Sequence, residues 1–294
     1  MMNKLIFLVL IAALASTAGA AEPVFPVDFQ EAMRMARTPG KEGEAEAIFL
    51  ELAGRQVRHQ QCIGAALEQA SLLALRRKDF EEAEKRAGRI KDKPLQTLCR
   101  MRIWEAQLRW TNIVEAAGSQ DLATWPDRLV CDAAMCRARA HAMLGNAVAA
   151  EKDFLLAQTT TFDANQLASA NLNLGNLYRD QIKDESKALA AYKAVIDSPV
   201  VGAAKYDSII AYAVLLAKKG NEKEAIAQLD RLRAENIPSA DWRCRIQQAY
   251  GDVYAALNRP DSALAAYRKA LEVPDVSQYM VKKIEEQIAG MTPK

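Results

Sequence analysis

Residues 250–274 read YGDVYAALNRPDSALAAYRKALEVP. Gly251 sits between two aromatic residues, Tyr250 and Tyr254, and a turn signal follows at Asn258-Arg259-Pro260. Beyond the turn come Ala263, Tyr267 and Ala270, then a closing proline, Pro274. Steps of four and three put those three residues on one face of a helix. The small residue before the turn lets a second helix approach closely, and the aromatic ring after it fills the remaining gap. A proline cannot continue a helix, so Pro274 stops it. The stretch predicts two antiparallel helices packed as a hairpin.

The same arrangement occurs twice upstream. Leu174-Gly175-Asn176-Leu177-Tyr178, Tyr212-Ala213-Val214-Leu215-Leu216 and Tyr250-Gly251-Asp252-Val253-Tyr254 begin 38 residues apart. Each is followed by an alanine (Ala188, Ala225, Ala263) and a large apolar residue four further on (Tyr192, Leu229, Tyr267). Val195, Leu232 and Ala270 come next, and Pro199, Pro238 and Pro274 close the units. One extra residue falls in the inner loop of the first, between Asp180 and Ser186. Towards the N-terminus the pattern weakens without stopping. Ala138, Gly145, Ala150, Phe154 and Ala157 fit it, as do Ala70, Ala74, Phe80, Ala83, Ala87 and Ile90 with Pro94 behind them. Ala45, Phe49 and Leu52 read as the second helix of a further hairpin whose first runs from Phe29 to Arg37. A degenerate unit lies at 95–126, with Trp104 and Trp110 where small residues are expected and its marker alanine near Ala116.

A fixed period of this length is the signature of a repeat array. The pattern of small, apolar and aromatic positions resembles the tetratricopeptide repeat. That resemblance implies an all-α fold, a right-handed α-α superhelix. About seven hairpins are expected over 28–275, clearest at 168–199, 205–238 and 243–274. A capping helix follows at 276–291, with Tyr279, Ile284 and Ile288 inward. No window alternates as a strand does.

The first twenty residues read as an export signal: Lys4, an apolar run from Leu5 to Ala15, then Ser16 to Ala20 as a small-residue cleavage site before Ala21. The run is shorter than the roughly 20 residues needed to cross a bilayer. The expected mature chain is exported, periplasmic or secreted, with a short linker at 21–27 and no integral membrane segment.

The chain is half hydrophobic (50%), which excludes disorder, and its 39 basic residues nearly balance 37 acidic ones. That balance argues against nucleic acid as a partner. No phosphate loop, zinc helix or nucleophile elbow occurs. Two histidines, His59 and His141, fall in different repeats, so neither a metal site nor a cofactor is expected. No nucleophile, base and stabiliser come together either, and an enzyme is not expected. An odd count of five cysteines (Cys62, Cys99, Cys131, Cys136, Cys244) includes no C-x-x-C. Cys131 and Cys136, five apart, diverge by about 140° on a helix. Buried thiols acting as small hydrophobes are the expected state. The four tryptophans are expected to pack between hairpins rather than form a ligand platform.

The resemblance implies a scaffold or adaptor that binds protein or peptide partners in a concave groove built from first helices. A structural subunit of an envelope assembly or secretion complex is the alternative. By the family's groove positions, Arg102, Arg109, Arg139, Asn176 and Arg179 face the concavity, and beyond them Ile210, Val214, Gln248 and Asp252. Four arginines suit carboxylates, so the expected partner segment is rich in Asp or Glu or ends in a free carboxylate. Family members that clamp such a carboxylate use Lys and Asn. Asn173 and Asn176 stand at suitable positions, but the next repeat offers Ala211 and Val214, so that clamp is incomplete.

Overall fold

The computed structural model describes residues 27–54, 60–118 and 120–291. The export segment at 1–20, the linker as far as Pro26 and His59 lie outside them. Fourteen of the fifteen α-helices among the described residues pair in chain order. They are α1 (Val27–Met35) with α2 (Glu42–Gly54), α3 (Gln60–Arg76) with α4 (Phe80–Gly88), and α5 (Lys93–Ala106) with α6 (Trp110–Gly118). A 3-10 turn at Leu122–Thr124 leads to α7 (Asp127–Met143) with α8 (Ala147–Thr160) and α9 (Ala164–Leu177) with α10 (Glu185–Ile196). Then come α11 (Ala203–Lys218) with α12 (Glu222–Ala234), α13 (Ala240–Ala256) with α14 (Pro260–Leu271), and α15 (Gln278–Met291) alone. No described residue is in a strand, and no described helix is long and apolar enough to cross a membrane. The fold is all-α.

The chain forms two compact units, one up to Leu129 and one from Val130. In the first, α3 and α5 pack against each other as well as against their hairpin partners. Its N-terminal core closes on Phe29 and Phe49, whose rings meet edge to face at 5.4 Å. In the second, the first helices α9, α11, α13 and then α15 lie in successive contact and make one layer. Their second helices pack behind them. Ala45, Ala83, Ala150, Ala188, Ala225 and Ala263 are all fully buried.

Each hairpin turns through one residue in the left-handed region: Gly40, Lys78, Leu108, Gly145, Lys183, Gly220 and Asn258. In five of them the next N–H donates to the carbonyl five residues back. The pairs are Asp79 to Ala74, Arg109 to Trp104, Asn146 to His141, Asn221 to Leu216 and Arg259 to Tyr254, at 2.8–3.0 Å. This bond satisfies a carbonyl that the ending helix leaves without a partner. The hairpin with one extra residue differs as its sequence requires. Asp184 reaches six residues back to Tyr178 (3.0 Å), and the insertion is absorbed in a π-helical turn, Tyr178–Ile182.

These turns fix the alignment of the repeats and correct two expectations. The marker lies four residues after the turn's donor, so in the 95–126 unit it is Ile113, fully buried, and not Ala116. Arg109 is itself the turn's donor. It lies between α5 and α6, exposed, rather than on the face of α5. First helices also start earlier than the pattern suggested, at Ala164, Ala203 and Ala240. The side chains of Asp163 and Ser239 cap two of them, accepting from Gln166 N (2.9 Å) and Trp242 N (3.3 Å).

Candidate binding groove

Counting two residues back from the carbonyl of each turn bond gives one equivalent position per hairpin: Arg102 on α5, Arg139 on α7, Asn176 on α9, Val214 on α11 and Asp252 on α13. Helix periodicity adds the residues three and four away on the same face. In the second unit Asn176, Val214 and Asp252 line a groove of about 580 Å³ with neighbours on the same faces. Its wall is apolar along Ile210, Ala211, Val214, Ala255 and Ala256. Polar groups line it as well: Asn176 and Arg179 from the α9 side, Asp207 and Lys218 from α11, Arg245 and Asp252 from α13, and Tyr267 from α14.

Two tyrosines of the second helices support the groove: Tyr267, which lines it, and Tyr192, which is buried behind it. The Tyr192 hydroxyl donates to Asn176 Oδ1 (2.8 Å), and the Tyr267 hydroxyl donates to Asp252 Oδ1 (2.7 Å). Gln287 of α15 adds a second donor to the same oxygen of Asp252 at 3.2 Å. Gln248 is buried and hydrogen-bonds Gln287 at 2.5 Å. Across α11 and α13, Arg245 Nη2 lies 2.5 Å from Asp207 Oδ1, with its guanidinium 4.9 Å over the Trp242 ring. Burial pushes the carboxyls of Asp207 and Asp252 above the ordinary range, although Arg245 and Lys283 pull both the other way. Burial raises the Tyr192 and Tyr267 hydroxyls as well.

Of the five residues expected at the groove, Asn176 and Arg179 line this cavity, together with Ile210, Val214 and Asp252. Arg179 forks onto Asp180 through two bonds of 2.7 Å and lies 6.0 Å from the Tyr192 ring centre. That contact holds the Asp180 carboxyl below its usual range. Arg139 stands at the equivalent position of α7, where its Nη2 donates to Cys136 Sγ (3.5 Å). Arg102, in the other unit, donates to Glu68 Oε1 (2.8 Å), and both side chains are largely buried. The expectation passed over Asp207, Lys218, Arg245 and Tyr267. Two of them were within reach, since Asp207 and Arg245 lie two helical turns before Val214 and Asp252 and so share their face.

A second polar centre joins α7 to α8. Arg137 grips Asp153 through two bonds of 2.7 Å, and His141 Nε2 lies 4.0 Å from the same carboxylate. Among the described residues, no three His, Cys, Asp or Glu side chains are grouped to hold a metal ion.

The family model for the tetratricopeptide repeat matches residues 245–274. The fold is similar to that of a tetratricopeptide repeat protein from Parabacteroides merdae ATCC 43184, known from its crystal structure. The likeness has a TM-score of 0.56 at 15% identity and covers 90% of this chain and 100% of that one. No curated protein matches the chain.

Proposed function

We propose that this chain, a tetratricopeptide-repeat protein, is an exported, non-enzymatic scaffold that holds an extended protein or peptide segment in the groove across α9, α11 and α13. Tetratricopeptide repeats are modules of protein–protein interaction and are generally non-catalytic. The observation that carries the reading is the groove itself, a cavity of about 580 Å³ lined by an apolar wall and by polar groups of α9, α11 and α13. An apolar wall takes side chains from water, and the fixed polar groups set direction and register. The reading rests on this shape rather than on a free basic surface, because Arg102, Arg139 and Arg179 already hold partners of their own. Export rests on the three-part pattern of residues 1–20.

A photo-crosslinking residue at Val214 tests the groove. A covalent adduct to one partner, absent when the probe is moved to exposed Lys282 on α15, supports it; equal labelling from both positions refutes it. Recovery of the natural protein with Ala21 or a neighbour at its N-terminus supports export, and an intact Met1 refutes it. A stable stoichiometric complex on co-purification would instead favour the structural subunit of an envelope assembly.

A further inference from the structure

The charged side chains that line the groove differ in how they are met. On the α9 side, Arg179 is forked onto its neighbour Asp180 by two short bonds, which satisfies the guanidinium within its own turn. On α11 and α13 the balance is reversed. Asp207 and Asp252 both line the cavity, and among the described residues the ion-pair contact to them comes from Arg245 alone, on Asp207. Arg245 is also held against Trp242, which fixes its position. Asp252 receives neutral donors, Tyr267 and Gln287, and both bind Oδ1. Burial pushes both carboxyls up, against the pull of Arg245 on α13 and Lys283 on α15.

A carboxylate in a partly buried site is most stable when a cation completes its coordination. Val214, Ala255 and Ala256 supply apolar lining to the same cavity. Long cationic side chains fit such a surface, with methylenes along the apolar wall and the charge at its end. A free amino terminus has no stem to lay there. We infer that the groove receives a lysine or arginine side chain of the partner segment, its stem along α11 and α13 and its charged head at Asp252 and Asp207. The inference rests on the groove being the binding site.

The test selects a randomised twelve-residue peptide display library on the purified chain, with the Val214→Arg variant, which fills the groove, as counter-selection. The expected result is a consensus with lysine or arginine at one position. In a synthetic peptide of that consensus, replacing the cation by norleucine should weaken binding at least about tenfold, the effect of losing one charge-assisted hydrogen bond. Asp252→Asn and Asp207→Asn should each weaken the cationic peptide and leave the norleucine peptide unchanged. Asp207 carries the test should Asp252→Asn fail to fold. A groove-dependent consensus lacking lysine and arginine, or one binding both Asn variants as well as the parent, overturns this inference and leaves the groove intact. Failure to select any peptide that Val214→Arg excludes overturns the groove reading too.

Discussion

The ring of Tyr267 lies directly on the bare backbone of Gly251: a methyl group placed on that glycine would sit 2.3 Å from Cε1 of the ring. The same contact recurs two hairpins earlier, where a methyl on Gly175 would meet Cε1 of Tyr192 at 2.4 Å. No real carbon approaches that closely, so the glycine is required by packing and not by conformation. Gly251→Ala is expected to cost about 1–3 kcal/mol by overpacking, against the gain of up to about 1 kcal/mol that alanine usually brings inside a helix. The hairpin between them supplies the control. There Ala213 and Leu229 occupy the equivalent positions, both buried. The double change Gly251→Ala with Tyr267→Leu should therefore recover part of the loss, and thermal melts of the two single variants and the double measure it. Simple additivity would show that ring and glycine are not coupled.

A different strain sits in the turn of the third hairpin. Leu108 has a φ of 59° and is 69% exposed. A left-handed conformation costs a residue with a Cβ roughly 1–2 kcal/mol, and glycine is free of that cost. Glycine also gives the unfolded chain more freedom, which takes back about 0.4–1 kcal/mol. Leu108→Gly should thus raise stability modestly, by about 0.5 kcal/mol, while Gly220→Ala at the equivalent turn lowers it. Chemical denaturation midpoints at constant slope decide both signs.

That turn also explains why the sequence was legible at one end of the chain and obscure at the other. In the last three hairpins the small residue precedes the turn and the bulky one follows it, as Gly251 and Tyr267 do. In the third hairpin the sizes are exchanged: Met101 stands at the position of Gly251 and Ala117 at that of Tyr267, each fully buried. The summed volume is kept while the pattern is inverted. With Leu108 and Arg109 at the turn instead of glycine or asparagine, nothing local marked where α5 ended. The pattern therefore puts the marker three residues late, at Ala116 for Ile113, and Arg109 on a helix face. The groove was legible where its alignment rested on the last three hairpins, through Asn176, Val214 and Asp252. The partner of Arg102 was not, since Glu68 lies 34 residues earlier and only stacking of hairpins brings it near.

His141 makes stability depend on pH. Its side chain is 15% exposed, and its Nδ1 has no hydrogen-bond partner among the described residues. Burial lowers its pKa below 6.5; Arg137 adds to the effect and Asp153 opposes it. The unfolded chain therefore binds the proton more readily than the folded one. The neutral imidazole contributes fully above the unfolded value, and that contribution is lost as pH falls from about 6.5 towards the folded value. The parent's melting temperature should decline from pH 7 to pH 5 more steeply than that of His141→Phe. Parallel slopes would remove His141 from the balance.

The five cysteines test whether the core stays closed. Cys62, Cys99, Cys131, Cys136 and Cys244 are buried thiols, and none is in a disulfide. Burial pushes the Cys99 thiol up to about 12 and that of Cys131 up to about 11. Alkylation and oxidation both proceed through the thiolate, which at pH 8 is then a minute fraction of either residue even where a reagent reaches it. Burial therefore protects these thiols even in an oxidising compartment. Native protein treated with iodoacetamide at pH 8 should retain its unmodified mass for hours, and protein in guanidinium should gain five adducts within minutes. Rapid native labelling of Cys99, buried on α5, would mean that the hairpins of the first unit separate readily and that its core is looser than its burial implies.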